Sequence, residues 1–369
     1  MVRDSGPEQH EVLVIGAGQS GLAAGYHLTM AGIDHVILER DERVGDVWRS
    51  RYDSLRLYSP ARYDSLPGLS FPIDPLAFPT GRQMGDYLED YARHFAMPVR
   101  TNESVRRLRR VSFGNGYELT TVSGTYSAPQ VIVATGPFQR PYVPAFAEEL
   151  DDSIGQLHSA DYRSPDQLDD GPALVVGASH SGADIAFELV ATRPTILVGR
   201  SHGQLPFSVD GRVARYAWPL MRTIATNLLS LSTPIGRKMA PQVRNGGGPL
   251  LRHRKADLER AGVEWIEERA VGVSDGKPQL ADGRVLDVAS IVWCTGFRPD
   301  FSWIEPSVVQ DDGWPAQERG VVASSPGLYV LGVPFLHSFA SMLVLGAGAD
   351  AAHVVRMLRT STPATTVAA

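Results

Sequence analysis

The chain has 369 residues, of which 43% are hydrophobic, so it is long enough for two domains that each bury a core. Its 41 acidic residues outnumber its 35 basic ones and give a net charge of -6, which argues against nucleic acid as a partner. The single cysteine, Cys294, excludes an internal disulfide and Cys-x-x-Cys exchange chemistry.

The first ten residues are polar and charged where a signal peptide is apolar. No uninterrupted apolar stretch in the sequence is long enough to span a bilayer. We therefore expect a cytoplasmic protein without a membrane span.

The chain opens with a strand, a glycine-rich turn, a helix and a second strand. Val12–Ile15 and His35–Leu38 are short apolar runs typical of strands, and residues 19–31 between them have the apolar spacing of a helix. This order predicts a βαβ unit whose two strands lie parallel in one sheet.

The turn of this unit reads GAGQSG over residues 16–21. Its three glycines permit a tight turn, a close approach of a pyrophosphate and close packing of the helix on the sheet. Glu39 ends the second strand, where a carboxylate accepts hydrogen bonds from both ribose hydroxyls and repels a 2′-phosphate. We predict an FAD or NAD site here, and its place near the amino terminus favours FAD.

A loop-rich segment follows over residues 53–79 and is predicted to cover a cofactor. Beyond it we predict a helix over residues 84–95, antiparallel strands within 104–119 and a buried strand over 131–135.

The same order of elements returns later in the chain. Ala173–Val176 and Thr195–Val198 are predicted strands, and residues 181–191 between them are predicted to be a helix. The turn, GASHSG over residues 177–182, has Ser179 in place of the middle glycine. Arg200 has the same offset from this turn that Glu39 has from the first, and a guanidinium there suits a 2′-phosphate, so we predict NADPH.

Residues 217–239 mix apolar and basic side chains and are predicted to be helical, as a lid or a dimer-packing pair. Four apolar residues in this segment would suit a homodimer interface: Leu220, Ile224, Leu228 and Leu231. The small, polar tail over residues 361–369 is expected to be disordered.

Further motifs point to a known family. ATG at 134–136 and CTGFRPD at 294–300 each follow an apolar strand, and GDVW at 45–48 is similar to a GGxW stretch with Asp46 for the second glycine. GQLHSADY at 155–162 resembles the fingerprint FxGxxxHxxxY, although its glycine and histidine are one residue too close. Nearly the whole chain resembles the flavin-containing monooxygenases and their small bacterial relatives, which include flavoproteins associated with ion efflux.

The resemblance implies an α/β fold of two nested Rossmann-like dinucleotide-binding domains, as in the glutathione-reductase-like flavoproteins. A discontinuous FAD domain, residues 8–150 and 295–360, would carry an inserted NADPH domain, residues 165–290. Predicted FAD contacts are Gly16, Gly18, Gln19, Ser20, Gly21, Glu39, Arg40, Val47, Trp48, Leu57, Tyr58 and Ser341. Predicted NADPH contacts are Gly177, Ser179, His180, Ser181, Gly182, Arg200 and Ser201. No metal site is expected, because the cysteine and histidines lack ligand spacing.

The resemblance also implies a monooxygenase. NADPH would reduce FAD, and O2 would be split through a flavin hydroperoxide that oxygenates a small organic substrate. Since the flavin makes the bonds, no side chain is assigned to catalysis. Tyr58, where relatives carry asparagine, and His337, near the last motif, are the candidates, and His337 also suits a structural role.

Two alternatives remain open. An NADPH-dependent flavoprotein oxidase or reductase without oxygen insertion is favoured by the altered fingerprint and the missing asparagine. A non-catalytic flavin-binding regulatory or accessory protein is the other. Ser181, Gly182 and Arg200 argue against the second, because a module that binds only FAD does not need an NADPH pocket.

Overall fold

The structure of the protein, a computed structural model, describes residues 6–111, 116–209 and 211–361. Two five-stranded parallel sheets carry helices on their faces, and a third, mixed sheet lies beside the first. This is the predicted α/β class.

The first parallel sheet combines strands from both ends of the described chain. Its strands, in spatial order, are Leu328–Val330, Gln130–Val133, Val12–Ile15, His35–Leu38 and Val99–Arg100, and all neighbours run parallel. Its central strands are buried at every position, which explains their uninterrupted apolar sequence. The helix Gln19–Met30 contacts both Gly81–His94 and the last helix, Val344–Ser361.

The second parallel sheet lies in the sequence between two strands of the first. Its strands, in spatial order, are Gly155–His158, Ser290–Trp293, Ala173–Val176, Thr195–Val198 and Glu264–Ile266. The helix His180–Leu189 packs on this sheet and contacts the helix Lys255–Ala261. The two sheets are therefore nested, and the second begins with a strand that precedes residue 165.

The remaining strands form smaller units. The mixed sheet has the order Glu8–Gln9, Thr125–Ala128, Tyr117–Thr121, Val105–Arg110 and Ile304–Glu305. Ala270–Ser274 pairs with Lys277–Leu280, and Arg140–Pro141 pairs with Phe297–Arg298. The last pair joins the two segments through which the chain passes from one parallel sheet to the other.

The helical segment after residue 211 differs from its prediction. A helix begins at Arg212, before the predicted 217, and runs to Thr223, followed by a π-helical turn, Ile224–Leu228. A separate helix, Pro234–Asn245, then starts because Pro234 takes its first position and Gly236 N donates a 3.0 Å hydrogen bond to Thr233 Oγ1. The prediction of helical structure over residues 217–239 did not give the position of this break.

The predicted dimer residues differ in exposure. Leu220 and Leu228 are 63% and 44% exposed, and the other two are half-buried. The homodimer stays a prediction.

Short helices and 3-10 turns complete the described chain: Asp46–Arg49, Ala61–Tyr63, Ala145–Glu149, Pro165–Gln167 and Phe339–Met342. The predicted disordered tail, residues 361–369, lies outside the described residues except for Ser361, which ends the last helix. Within the described ranges, every helix is too short or too polar to cross a bilayer.

Candidate dinucleotide sites and the region between them

The first nucleotide turn, residues 16–21, packs too closely for side chains at two of its glycines. A Cβ atom at Gly16, where φ is +101°, would lie 2.7 Å from the carbonyl oxygen of Ala134. A Cβ at Gly21 would lie 1.8 Å from the carbonyl oxygen of Gly16. A Cβ at Gly18, in contrast, would meet no atom within 4 Å. The turn therefore leaves open space at the residue where a pyrophosphate approaches the backbone.

The Glu39 carboxylate lies beside this turn. It accepts hydrogen bonds from Ala17 N at 2.6 Å and from Asp41 N at 3.1 Å. Burial raises the pKa of this carboxyl, and the two backbone donors oppose that rise. These bonds hold Glu39 at the carboxyl end of its strand, where the ribose of a bound FAD would be placed. Arg40 is exposed and forms an ion pair with Asp41 at 3.5 Å.

The other predicted FAD residues border the same end of the first sheet. A Cβ at Gly332 would lie 2.8 Å from Ser20 Oγ, so the chain after Leu328–Val330 reaches the first turn of the helix Gln19–Met30. Val47 and Trp48 are half-buried in the helix Asp46–Arg49, and Leu57 is buried. Trp48 packs against the cores of both parallel sheets.

Ser341 and His337 lie close together in the segment that precedes the last helix, Val344–Ser361. The Ser341 hydroxyl is buried and accepts hydrogen bonds from His337 N and Ser338 N, both at 3.1 Å. The carbonyl of His337 accepts from Leu231 N at 2.8 Å. Burial lowers the pKa of the His337 imidazole, and the nearby Arg319 adds to this effect. The backbone of His337 thus links the helical segment 212–245 to the first unit.

The second nucleotide turn, residues 177–182, repeats the packing of the first. A Cβ at Gly177 would lie 2.3 Å from the carbonyl oxygen of Cys294, and one at Gly182 would lie 1.8 Å from that of Gly177. A Cβ at Gly182 would lie 3.5 Å from Cys294 Cβ. A Cβ at Gly21 would lie at the same distance, 3.5 Å, from Ala134 Cβ. ATG and CTG, which sequence analysis had paired because each follows an apolar strand, are therefore equivalent segments that each pack against one turn, a contact that the sequence did not reveal.

The side chains at the start of the second helix differ from those of the first. Ser179 Oγ donates a 2.9 Å hydrogen bond to the carbonyl oxygen of Gly248. His180 is half-buried, and desolvation lowers the pKa of its imidazole to about 4, so the ring is neutral at pH 7. Neither residue presents a fixed positive charge to a phosphate.

The positive charge lies at the end of the next strand. Arg200 follows Thr195–Val198 and is exposed, as is Ser201. Within the described parts of the chain, Arg200 forms no hydrogen bond or ion pair. Its guanidinium is therefore available for a phosphate, and the residues of this turn fit NADPH as those of the first fit FAD.

A buried polar cluster joins the two nucleotide-binding units. Tyr58 donates a 2.8 Å hydrogen bond to Asp184 Oδ2, and Tyr52 donates to the same oxygen at 3.3 Å. Arg252 forms an ion pair with Asp184 at 3.5 Å, and its guanidinium lies 5.0 Å from the centre of the Tyr58 ring. Burial raises the pKa values of both tyrosines and of Asp184.

Sequence analysis singled out Tyr58 but missed its partners. Asp184 lies on the buried face of the helix His180–Leu189. A buried aspartate needs polar partners, and burial is the property that identifies Asp184 as a site residue. The Tyr58 ring also lies 5.4 Å from the ring of His180, between centroids. Tyr58 therefore stands at the second nucleotide helix as well as on the loop of the first unit.

An aromatic patch extends from Tyr58 toward the helix Arg212–Thr223. Tyr63 stacks on Trp218 with ring centroids 5.6 Å apart, and Phe78 and Phe207 pack in the same cluster. These residues, Tyr58, Tyr63, Phe78, Phe207 and Trp218, are called the aromatic patch below. They bring an apolar surface next to the polar cluster.

The histidine of the fingerprint contacts the segment that follows Ser290–Trp293, the neighbouring strand of the second sheet. His158 Nε2 donates a 3.0 Å hydrogen bond to the carbonyl of Gly296, and Nδ1 accepts from Ala160 N at 3.0 Å. Burial lowers the pKa of its imidazole. Tyr162 is buried and donates to Glu188 at 3.0 Å. These contacts hold the fingerprint segment against the helix His180–Leu189 and the segment at Gly296.

The fold and the two turns define a two-dinucleotide flavoprotein oxidoreductase. A family model described as "Pyridine nucleotide-disulphide oxidoreductase" matches residues 13–224, more than half of the chain. The "Uncharacterized oxidoreductase CzcO-like" of Geobacillus kaustophilus (strain HTA426) is 39% identical over 94% of this chain and 97% of that protein. The chain belongs to the pyridine nucleotide-disulphide oxidoreductase family, among its CzcO-like members.

Monooxygenases are also similar to this chain. The "Probable indole-3-pyruvate monooxygenase YUCCA7" of Arabidopsis thaliana is 30% identical over 95% of this chain and 87% of that protein. The solved flavin-containing monooxygenase from Stenotrophomonas maltophilia has a TM-score of 0.76, with 27% identity over 96% of this chain and 99% of that one. OTEMO, solved in complex with FAD and NADP, shares the fold with a TM-score of 0.70 and 17% identity, over 96% and 86% of the two chains.

These comparisons confirm the predicted resemblance, the α/β class and an oxidoreductase that uses flavin and pyridine nucleotide. They set aside the non-catalytic alternative. The family description includes disulphide chemistry, which this chain cannot perform with an internal cysteine pair because Cys294 is its only cysteine.

Proposed function

We propose that this chain is an FAD-dependent, NADPH-consuming monooxygenase that transfers one oxygen atom of O2 to a small organic substrate. The observation that carries the proposal is the opposite charge, Glu39 and Arg200, at matching offsets from two turns that share one packing scheme. Two different dinucleotides, one without and one with a 2′-phosphate, need this pair of charges. Oxygen transfer is supported by relatives that are monooxygenases by name.

We further propose the division into an FAD domain, residues 8–150 and 295–360, and an NADPH domain, residues 165–290. The two turns lie in different segments of this division. Strand Gly155–His158 extends the second sheet toward the linker and pairs with Ser290–Trp293.

FAD, when bound, supplies the redox and oxygen chemistry, so no side chain needs to bond covalently to the substrate. In the first turn, the space at Gly18 would admit the pyrophosphate of FAD, and Glu39 would accept hydrogen bonds from the ribose hydroxyls. In the second unit, Arg200 would bind the 2′-phosphate of NADPH. Tyr58 and Trp48 lie where the two units meet, and their side chains would help to keep water away from the bound cofactors.

The aromatic patch supports an apolar, ring-bearing substrate. Four of its five rings are half-buried and leave part of their aromatic surface open, which suits a flat hydrophobic molecule. The relative YUCCA7 is named for indole-3-pyruvate, an aromatic 2-oxo acid. We therefore propose aromatic compounds of this kind as the first substrates to screen.

The test is oxygen transfer from labelled O2. The FAD-loaded protein is given NADPH, ¹⁸O2 and each candidate substrate, and the product is analysed by mass spectrometry. A monooxygenase places one labelled oxygen in the product for each NADPH consumed. Quantitative release of hydrogen peroxide with every substrate would contradict the proposal.

That contrary result would identify the second candidate, an NADPH-dependent oxidase or reductase. One observation favours it. The Tyr58 hydroxyl already donates to Asp184, so it does not replace the amide of the missing asparagine as a free donor. The peroxide yield in the same experiment distinguishes the two activities.

A further inference from the structure

The helices after residue 211 hold large apolar side chains out in the solvent. Tyr216 and Leu220 are 89% and 63% exposed, the highest values for large apolar side chains among the described residues. They are four residues apart in the helix Arg212–Thr223, so they lie on one face of it. Leu228 and Ile235 follow along the chain and are 44% and 50% exposed. Such a concentration of exposed apolar side chains marks a site of association.

The opposite face of the same helix is buried. Ala214 and Trp218, also four residues apart, are 0% and 8% exposed and pack together in the cluster that contains the aromatic patch. Just beyond the helix, Leu229 O accepts a 2.8 Å hydrogen bond from Phe339 N of the first unit. These contacts fix the rotation of the helix, and Tyr216 therefore cannot turn inward unless Trp218 leaves its packing.

The segment that carries these side chains contains no acidic residue. Residues 212–245 include six arginines and lysines and no aspartate or glutamate, although the whole chain has 41 acidic and 35 basic residues. Arg222, Arg237 and Lys238 are exposed and, within the described ranges, form no ion pair. Lys238 lies three residues after the exposed Ile235 in one helix, so a basic and an apolar side chain are neighbours there.

These seven exposed side chains give one surface both an apolar and a positive character. The surface is called the outer helical face below and consists of Tyr216, Leu220, Arg222, Leu228, Ile235, Arg237 and Lys238.

Charge argues against a second copy of this chain as the partner of the outer helical face. A twofold contact places the same patch on both sides, so two basic surfaces without acidic residues would meet and repel each other. A nucleic-acid backbone would match the charge alone. An anionic phospholipid surface matches both properties, because the headgroup region attracts Lys and Arg while the acyl boundary takes up leucine, isoleucine and tyrosine side chains.

We propose that the outer helical face binds the surface of an anionic phospholipid membrane. Tyr216 and Leu220 enter the boundary between headgroups and acyl chains, and Arg222, Arg237 and Lys238 lie at the lipid phosphates. This mode of binding needs no spanning helix. It uses neither nucleotide turn, so it is independent of the proposed oxygen transfer.

The test is sedimentation of the FAD-loaded protein with lipid vesicles. Vesicles of phosphatidylcholine alone are compared with vesicles of phosphatidylcholine and phosphatidylglycerol in equal amounts. We expect binding to the anionic vesicles, a roughly tenfold or weaker affinity for the neutral ones, and release from the anionic ones as the salt concentration rises.

Two double variants separate the apolar from the electrostatic contribution. Tyr216→Gln with Leu220→Gln is expected to weaken binding roughly tenfold to a hundredfold, because two apolar side chains are lost. Met30→Gln, at a 58% exposed methionine of another helix, is its control and is expected to bind like the wild type.

Arg237→Gln with Lys238→Gln is expected to weaken binding to anionic vesicles roughly tenfold to thirtyfold. Arg106→Gln with Arg110→Gln, at exposed arginines of the mixed sheet, removes the same charge elsewhere and is its control. Circular dichroism and FAD content establish that each variant is folded. Equal binding by the control and test pairs would show that net charge alone drives association and would overturn the proposal.

A dye attached at Asn227→Cys reports on the surface directly. Asn227 is exposed next to Leu228, and burial of Cys294 limits labelling of the native thiol. Anionic vesicles are expected to shift the emission of the dye to shorter wavelength, whereas a dye at Ser307→Cys, another exposed position, should not respond. Absence of vesicle binding together with a dimer that Tyr216→Gln and Leu220→Gln dissociate would overturn the proposal and assign the surface to a second copy.

Discussion

The hydroxyl of Tyr58 donates a 2.8 Å hydrogen bond to the buried carboxylate of Asp184, although 126 residues separate them. Tyr58 belongs to the loop after the first nucleotide turn, and Asp184 belongs to the helix that follows the second. The bond therefore ties the first nucleotide-binding unit to the second through a single oxygen atom.

Tyr58→Phe removes this tie but keeps the ring. We expect a lower free energy of unfolding, by about 1–2 kcal/mol, because a buried acceptor loses a donor. We also expect a larger share of NADPH consumption to end as hydrogen peroxide, because water enters a loosened interface. Chemical denaturation and the ratio of peroxide to NADPH measure the two effects. Tyr216→Phe is the control, since that residue is 89% exposed, and an identical peroxide ratio in both variants would count against the role of Tyr58.

Arg200→Ala is expected to change the choice of nucleotide. Loss of a charge-assisted contact to the 2′-phosphate raises the KM for NADPH roughly tenfold to a hundredfold and leaves the KM for NADH within about twofold. Steady-state kinetics with both nucleotides measure the change. Arg106→Ala, at an exposed arginine of the mixed sheet, is the control. An equal loss with NADH and NADPH would show that Arg200 does not read the phosphate.

Gly18→Ala is expected to separate folding from FAD binding. The new methyl group meets no protein atom, so the melting temperature of the apoprotein stays near that of the wild type. The methyl group occupies the space of the pyrophosphate, so the purified variant retains little flavin, which its absorbance reports. Gly272→Ala also adds a methyl in open space, but away from the turn, and should keep its FAD. Full flavin content in Gly18→Ala would contradict this placement.

Asp64→Asn is expected to stabilise the protein above neutral pH. Asp64 is 1% exposed, and burial raises its pKa from 3.8 to about 7, while a hydrogen bond from Ser59 opposes the rise. Because the folded-state pKa is the higher one, stability from the neutral carboxyl is complete below pH 3.8 and is lost as the pH rises through about 7.

This loss is at most about 4 kcal/mol over that range, and an amide does not ionise, so the variant lacks this dependence. Denaturant unfolding at several pH values between about 5 and 8.5 compares the two proteins. We expect the advantage of the variant to grow with pH. A constant difference at every pH would show that Asp64 does not titrate in this range.

Cys294→Ala is expected to retain NADPH oxidation within about twofold, because alanine occupies the equivalent place in the first turn and small volume changes are tolerated there. Burial raises the pKa of the Cys294 thiol to about 12, so the folded wild type should react slowly with thiol reagents at pH 8. Labelling kinetics with and without denaturant measure this. Loss of activity in the alanine variant would point to thiol chemistry.

Local patterns in the sequence predict much of the fold. Strands such as Val12–Ile15 and Ala173–Val176 are apolar at every position because both faces of their sheets are covered. The turn glycines and the opposite charges of Glu39 and Arg200 are likewise local features. They predict the two units and their order without knowledge of any distant contact.

The sequence does not predict contacts between distant segments. Tyr58, Asp184 and Arg252 meet through the docking of three separate elements, and none of them belongs to a periodic or spaced motif. The contact of Ser179 with Gly248 is hidden for the same reason. The break before Pro234 has a local signal, a threonine followed by a proline. The apolar spacing is helical on both sides of this signal, so the prediction did not place a break there.

The nesting of the sheets has a consequence for synthesis on the ribosome. Every strand of the second sheet has emerged before Leu328–Val330, the last strand of the first sheet, is translated. The second sheet can therefore fold during translation, while the apolar edge strand Gln130–Val133 still lacks its partner. A nascent chain that stalls before Leu328–Val330 is made exposes a strand edge that can pair with other chains. We expect binding of chaperones to the nascent chain to be greatest at this stage.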